Sequence, residues 1–178
     1  MAEVFTNALK RSAGIVTTSS SATIGVTTTV ISGISTIGVS VGDMVDNQHF
    51  RGGCKVSSID SSSQVTVDKT STNTSSATSQ VVKFLGASTA YTSPSGTKSI
   101  LIGGTFANLT NNSVNLYVEV SSGSTSTNIA NDIPVPTGSS FVISDAGKTV
   151  LLGNDVVKIY CDTENSIDVT LGILQGVS

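Results

Sequence analysis

Short apolar runs separated by polar turns recur along most of the chain. Runs of about four to eight residues that are rich in Val, Ile and Thr and bounded by Ser, Asn, Gly or Asp predict β-strands. The composition of the polar segment 70–79 is compatible with a disordered linker, but its position between two strands favours an exposed hairpin or long loop. Up to residue 85 the strand candidates are "ATIGVTTTVISGIS", "VSVGDMV", "CKVSSID", "SSSQVTVDK" and "SQVVKFLG".

A second series of strand candidates follows a boundary at residues 86–90. Its members are "SILIGGTFANL", "VNLYVEV", "NIANDIPVP", "SSFVIS", "TVLLGNDVVKIYC" and "SIDVTLGIL". Turn residues between them, including a predicted hairpin at 145–148, recur every 8–12 residues or so, a spacing typical of a β-sandwich of about 90 residues.

Two details of this second series carry structural predictions. Gly103 and Gly104 lie inside an apolar run, which indicates a β-bulge or a close approach of two backbones. The strand "VNLYVEV" alternates, and alternation predicts one buried and one solvated face. The expected buried residues are Val114, Leu116, Val118 and Val120, and the expected solvated residues are Asn115, Tyr117 and Glu119.

Residues 1–14 have a different pattern. Val4, Phe5, Ala8 and Leu9 recur at helical spacing, which predicts one or two helical turns that end at Gly14. A helix this short is not stable alone. The segment is therefore either a frayed terminus or an arm, and in the arm interpretation Val4, Phe5 and Leu9 bind a neighbouring subunit.

Composition agrees with an all-β chain. Ser and Thr make up roughly 30% of the 178 residues, well above ordinary usage. The mean hydropathy of +0.23 and the recurrent apolar runs argue against disorder. We predict an all-β protein with an N-terminal arm (1–14), a small β-domain (15–86) and an antiparallel β-sandwich (87–178) of the jelly-roll or Ig-like kind.

Charge and cysteine content exclude several classes. The net charge is −3 and the pI about 4.9, without the clustered Lys and Arg that nucleic-acid binding needs. No apolar run reaches the length of a membrane span, and the N-terminus does not have the pattern of a secretory signal. Cys54 and Cys161 lie far apart, which fits a reducing compartment better than a disulfide scaffold.

Residues that could carry chemistry are few. Asp43, Asp46, His49 and Cys54 lie close together in the sequence, but their spacing matches no usual zinc pattern. The chain contains no G-x-S-x-G elbow that follows a strand and leads into a helix, and it contains no phosphate-binding loop. We therefore expect no enzyme activity, no metal and no cofactor, and consider a small-molecule ligand improbable.

Carbohydrate binding is the alternative that the residues leave open. β-Sandwiches commonly carry sugar sites, and such sites stack sugars on exposed aromatic side chains. The aromatic residues that could serve are Phe50, Tyr91, Tyr117 and Tyr160, and they are scattered along the sequence.

Residues 90–175 carry a resemblance to a known group of proteins. The ordered segments are "YTSPSGTKSILIGGTFANLTNNSVNLYVEV", "IANDIPVPTGSSFVI" and "GKTVLLGNDVVKIYCDTENSIDVTLGILQ". In this order they resemble small β-rich virion structural proteins of tailed bacteriophages, including those of marine cyanobacteria. The segment "VSVGDMVDNQHFRGGCKVSSIDSSSQVTVDK" is similar to a small β-module of phage structural proteins, although "FRGGC" replaces its usual Pro-Ala-Gly, and "VFTNALKRSAG" is similar to their N-termini.

The resemblance implies a structural role in a virion that is assembled in the bacterial host cytoplasm. Its expected partners are other virion proteins and further copies of the chain in a homo-oligomer, without nucleic acid or membrane. Tandem small β-modules with an arm are suited to joining virion components that have different symmetries. We therefore favour a position on the tail side (neck, baseplate or fibre attachment). Capsid decoration is the alternative, and receptor or carbohydrate binding is a weaker one.

Overall fold

The computed structural model describes residues 3–144 and 148–177, and in this part of the chain every regular element is a β-strand. The predicted hairpin at 145–148 therefore lies largely outside the described residues. No described segment is a helix long and apolar enough to cross a membrane. The strands are β1 (Val4–Ala13), β2 (Ile15–Ile24), β3 (Val30–Ser32), β4 (Met44–Asp46), β5 (Val56–Ser61), β6 (Gln64–Val67), β7 (Ala77–Gly86), β8 (Ser88–Thr92), β9 (Lys98–Asn108), β10 (Val114–Ser122), β11 (Thr125–Val135), β12 (Ser140–Ile143), β13 (Thr149–Leu151), β14 (Val156–Cys161) and β15 (Ile167–Val177).

The chain divides into two compact units. The discontinuous unit combines Met1–Gly14 with Ser88–Ser178, and the inserted unit is Ile15–Ala87. The first fourteen residues therefore share a unit with the second half of the chain, from which they are separated by the whole inserted unit.

Two antiparallel sheets make up the discontinuous unit. One has the order β1-β15-β9-β12, with β13 also paired to β9, and the other has the order β11-β10-β14-β8. Both sheets contribute to one hydrophobic core, for example Phe106 and Leu171 from the first and Leu116 and Ile159 from the second, all of them fully buried. Burial of such side chains stabilises a fold by about 1.5–3 kcal/mol each, so this shared sandwich-like core holds the unit together.

The inserted unit has one six-stranded antiparallel sheet and its own core. The strand order is β4-β7-β2-β3-β6-β5. Val65 and Val67, which alternate along β6, are both buried with Ile24, Ile31 and Phe84. The polar segment that follows β6 has no strand before β7 begins at Ala77, although Ser71 within it is buried and its hydroxyl donates to the Gly25 carbonyl at 2.9 Å.

The helical turns predicted near the N-terminus are wrong. Residues Val4–Ala13 form strand β1, which pairs antiparallel with β15 from Val4↔Gln175 to Lys10↔Val169. Along the strand the exposed residues Phe5 and Leu9 alternate with partly buried ones. A two-turn helix leaves most of its backbone groups unpaired, whereas pairing with β15 satisfies one edge of the segment.

The prediction of a solvated face on β10 is also wrong. Val114, Leu116 and Val118 are buried as expected, whereas Val120 is only partly buried. Of the residues expected to be solvated, Asn115 is partly buried, Tyr117 is only 4% exposed and Glu119 only 2%. Glu119 lies directly opposite Lys158 in the sheet and accepts a hydrogen bond from the Tyr160 hydroxyl at 3.4 Å. A polar partner is what allows a carboxylate to lie at so buried a position.

The glycine pair of β9 has the close contacts that the sequence predicts. A Cβ atom on Gly103 would lie 2.7 Å from the Ile143 carbonyl oxygen, and one on Gly104 would lie 2.7 Å from a methyl carbon of Leu171. The β9–β15 register also shifts next to Gly103, as in a β-bulge. The prediction of a bulge and close backbone approach is confirmed.

Candidate interaction surface

A row of apolar residues crosses the five-stranded sheet on the side away from its core. Phe5 lies opposite Leu174, Leu174 opposite Ile100, and Ile100 opposite Val150. Directly opposite residues of paired strands point to the same side of a sheet, so the four side chains form one line. Phe5 is 76% exposed and Val150 57%, while the two central residues are partly buried. We call this side of the sheet the outer face.

A second row runs parallel to the first. Leu9 lies opposite Thr170, Thr170 opposite Thr105, and Thr105 opposite Val142. Leu9 is 70% exposed and Val142 55%. Between the two rows Gly172 pairs with Asn7 and with Gly103, so small and polar residues separate them. The outer face therefore has apolar side chains across its whole width.

Charged residues lie at both ends of β1. Glu3 immediately precedes the strand and Arg11 lies near its end, and both are exposed. Beyond Lys10 the register with β15 becomes irregular, and Ser12, with a φ of 50°, donates its backbone N–H to the Asp168 carboxylate at 2.8 Å. The regular part of β1 thus ends at a β-bulge that Asp168 stabilises.

The three residues predicted to bind a partner all lie on β1, but the alternation of the strand places Val4 on the side opposite to Phe5 and Leu9. Val4 is 52% exposed, and Phe5 and Leu9 are the most exposed apolar residues of the strand. That they bind a partner stays a prediction. The sequence did not indicate Leu174, Ile100 or Val150 as their neighbours, because cross-strand pairing and not spacing along the chain brings these residues into one row.

The acidic and sulfur-containing residues around His49 do not assemble into a ligand set. Asp43 is buried and accepts the Ser40 N–H at 2.7 Å, and burial raises the pKa of its carboxyl despite that hydrogen bond. Cys54 is fully buried in the core of the inserted unit. Among the described residues there is no group of three or more His, Cys, Asp or Glu that could hold a metal ion.

Both cysteines are free, fully buried thiols in different units. Burial raises the pKa of Cys54 to about 12, and the nearby Asp68 carboxylate adds to this shift. Burial likewise raises the pKa of Cys161 to about 12. Because the thiolate is the nucleophilic form, neither side chain is prepared for nucleophilic catalysis.

The aromatic residues considered for carbohydrate stacking are not exposed, contrary to the expectation from the sequence. Phe50 is 7% exposed, Tyr91 9%, Tyr117 4% and Tyr160 1%. The hydroxyls of the three tyrosines form hydrogen bonds as well; that of Tyr117, for example, donates to the Asp132 carboxylate at 2.9 Å. Each ring packs inside its own unit, so these four residues cannot form a stacking platform.

No protein-family model, no curated protein and no solved structure matches the chain. The outer face must therefore be interpreted from its own residues and geometry.

Proposed function

We propose that this protein is a non-enzymatic structural component of a tailed-bacteriophage virion, attached to neighbouring virion proteins through the outer face and strand β1. The apolar row Phe5–Leu174–Ile100–Val150 carries the proposal. Singly exposed apolar residues are normal, whereas a contiguous apolar line on a polar surface is typical of a protein–protein contact. The resemblance of residues 90–175 to phage structural proteins is the reason for proposing a virion as the assembly.

Within the particle we propose a position on the tail side, in the neck, baseplate or fibre attachment, with capsid decoration as the alternative. Two units with separate cores provide two independent surfaces, which supports a connecting role between components of different symmetry. We also propose that the discontinuous unit is an antiparallel β-sandwich of the jelly-roll or Ig-like kind, supported by its two sheets and their shared core.

The first test is to find the protein in the particle and to locate it. Mass spectrometry of purified particles is expected to detect the chain, and immunogold labelling is expected to place it at the tail end. Labelling over the capsid would favour the decoration alternative. Absence of the chain from purified particles would overturn the proposal.

The second test probes the surface with matched variants. Deletion of residues 2–13 is unsuitable, because β1 pairs with β15 and buries Ala13 in the core. Instead, the double substitution Phe5→Ser and Leu9→Ser removes apolar contacts from the exposed face of the same strand. The control is Thr127→Ser, at an exposed position on β11 of the other sheet. We expect the double variant to be lost from particles at least tenfold while it stays folded by circular dichroism, and the control to be incorporated normally.

A further inference from the structure

Strand β1 has an edge that no other described strand pairs with. It is the terminal strand of its sheet, and its only strand partner among the described residues is β15. From Val4 to Leu9 the strand is regularly paired and contains neither a charged residue nor a proline. Proteins usually protect an open edge with such residues, with bulges or by keeping the strand short.

The other edge strands show this protection. On the far side of the same sheet, β12 and β13 have 4 and 3 residues. In the second sheet, β11 has an irregular register, with Asp132 at a φ of 55° and Pro134 nearby. The other edge strand of that sheet, β8, has 5 residues and also an irregular register. In the inserted unit, β4 has 3 residues and β5 has an irregular register. Strand β1 also has two charged residues, Lys10 and Arg11, and a β-bulge near its end. Its segment from Val4 to Leu9 has none of these features and is therefore the edge best prepared to accept another strand.

The exposed residues of β1 are complementary to those of a second β1 strand that runs in the opposite direction. An antiparallel pair of β1 strands related by a two-fold axis at Asn7 places Glu3 of one copy opposite Arg11 of the other. The same register places Phe5 opposite Leu9, so on the outer face each exposed apolar side chain of the strand meets an apolar one. All of these positions are exposed in the single chain. On the other side of the strand Val4 lies opposite Lys10.

We propose that two copies of this chain associate by antiparallel pairing of their β1 strands about Asn7, which makes their five-stranded sheets continuous. The inference specifies the partner of strand β1 and rests on its role as a contact strand in the proposed function. Opposite charges and apolar pairs placed directly across two strands stabilise them, and like charges there destabilise them. A two-fold contact of this kind uses the same patch on both copies and therefore closes as a dimer.

Neighbouring registers lack this match. Moving the centre one position towards the N-terminus places Glu3 opposite Leu9 and Phe5 opposite Asn7. Moving it one position towards the C-terminus places Phe5 opposite Arg11. Of these three registers, only the one centred on Asn7 pairs Glu3 with Arg11 and Phe5 with Leu9, so the pattern of the outer face selects one register as well as one partner.

The register can be tested with a single engineered thiol in the full-length chain. Asn7→Cys would place two thiols at the two-fold axis, where paired Cα atoms lie about 4.5–5.5 Å apart, within the range that a disulfide spans. The native thiols do not interfere, because both are buried. Thr105→Cys, an exposed position on the outer face but away from β1, is the matched control.

On mild oxidation we expect most of the Asn7→Cys protein to run as a dimer on non-reducing gels, and the Thr105→Cys protein to stay monomeric. Equal cross-linking of the two variants, or none in either, would overturn the proposed pairing. Assemblies larger than a dimer would also overturn it, because the pairing uses up the open edge of both copies.

Charge exchange provides an independent measurement. Sedimentation velocity of the wild-type chain is expected to show a monomer–dimer equilibrium. Glu3→Arg or Arg11→Glu alone makes both ion pairs repulsive and is expected to raise the dimer Kd about tenfold, since exposed pairs contribute modestly. The double exchange restores opposite charges and is expected to recover dimerisation, and failure to recover would contradict the register.

The two proposals can fail separately. Detection of the chain in particles without cross-linking through Asn7→Cys would overturn the self-pairing and leave the virion role standing. A cross-linked dimer in solution, together with absence of the chain from particles, would overturn the virion role and leave the self-pairing standing.

Discussion

Asn108 is the side chain whose replacement tests the packing of the discontinuous unit most directly. It ends β9 and is 8% exposed. Its Nδ2 group donates to the carbonyl oxygens of Asn112 at 2.7 Å and Val135 at 2.8 Å. Its Oδ1 atom accepts the backbone N–H of Thr110 at 2.7 Å and the Thr110 hydroxyl at 2.9 Å. One amide thus joins the β9–β10 turn to the end of β11.

Asn108→Ala removes all of these hydrogen bonds. Each contributes about 0.5–1.5 kcal/mol net, and a buried group left without a partner costs more. The Thr110 hydroxyl has one proton, which lies within reach of both Asn108 Oδ1 and the Asn112 carbonyl oxygen at 2.9 Å. Without Asn108 Oδ1 it donates to the Asn112 carbonyl alone, which reduces the loss. We expect the free energy of unfolding of this unit to fall by about 2–4 kcal/mol.

The assay can follow this unit alone. The chain has three Tyr and no Trp, and Tyr91, Tyr117 and Tyr160 all belong to the discontinuous unit. Tyrosine fluorescence during equilibrium urea denaturation therefore reports its unfolding. The control is Asn111→Ala in the same turn, where the side chain is exposed and we expect a change within about 0.5 kcal/mol.

The Asn108→Asp variant is expected to have a free energy of unfolding that depends on pH. The carboxylate keeps the acceptor for Thr110 but faces the carbonyl oxygens of Asn112 and Val135, so its folded-state pKa should rise above the ordinary aspartate value. The destabilisation should be full at neutral pH and should decrease as the pH falls through that raised pKa, because the protonated acid can donate. A loss below about 0.5 kcal/mol for Asn108→Ala, or an equal loss for Asn111→Ala, would refute the reasoning.

Three further predictions concern other parts of the fold. Gly103→Ala should destabilise the discontinuous unit by about 1–3 kcal/mol in the same urea assay, because the new Cβ meets the Ile143 backbone carbonyl; an unchanged midpoint would contradict this. Cys54 and Cys161, with pKa values raised from 9.0 to about 12, should react with a thiol reagent at pH 8 about a thousandfold more slowly than an exposed cysteine, and denaturant should restore the rate. Hydrogen bonds from neighbouring side chains hold the pKa of exposed Asp60 below its usual value, so its charge stabilises the inserted unit at neutral pH. Asp60→Asn should therefore weaken hydrogen-exchange protection there at pH 7, and the difference from wild type should disappear as the pH falls through the lowered pKa, whereas a difference that grows on acidification would contradict the assignment.

The sequence by itself determined the class of the fold and the place of most strands. Val, Ile and Thr at alternating positions fit a pleated, half-buried surface, and this preference is local, so strands such as β6 and β10 can be located from their own residues. The close contacts at Gly103 were also predictable. A glycine within an apolar strand indicates that another part of the protein lies close to its backbone, and this holds whichever element that is.

The tertiary structure alone decided which strands meet and which faces remain exposed. Strand β1 pairs with β15, which lies at the other end of the chain, and without that partner the spacing of Val4, Phe5 and Leu9 fits a helix as well as a strand. Burial of Tyr117 and Glu119 likewise depends on partners from other elements, such as Asp132 and Tyr160. The apolar row and the open edge of β1 arise from strand pairing across long sequence separations, which spacing along the chain does not encode.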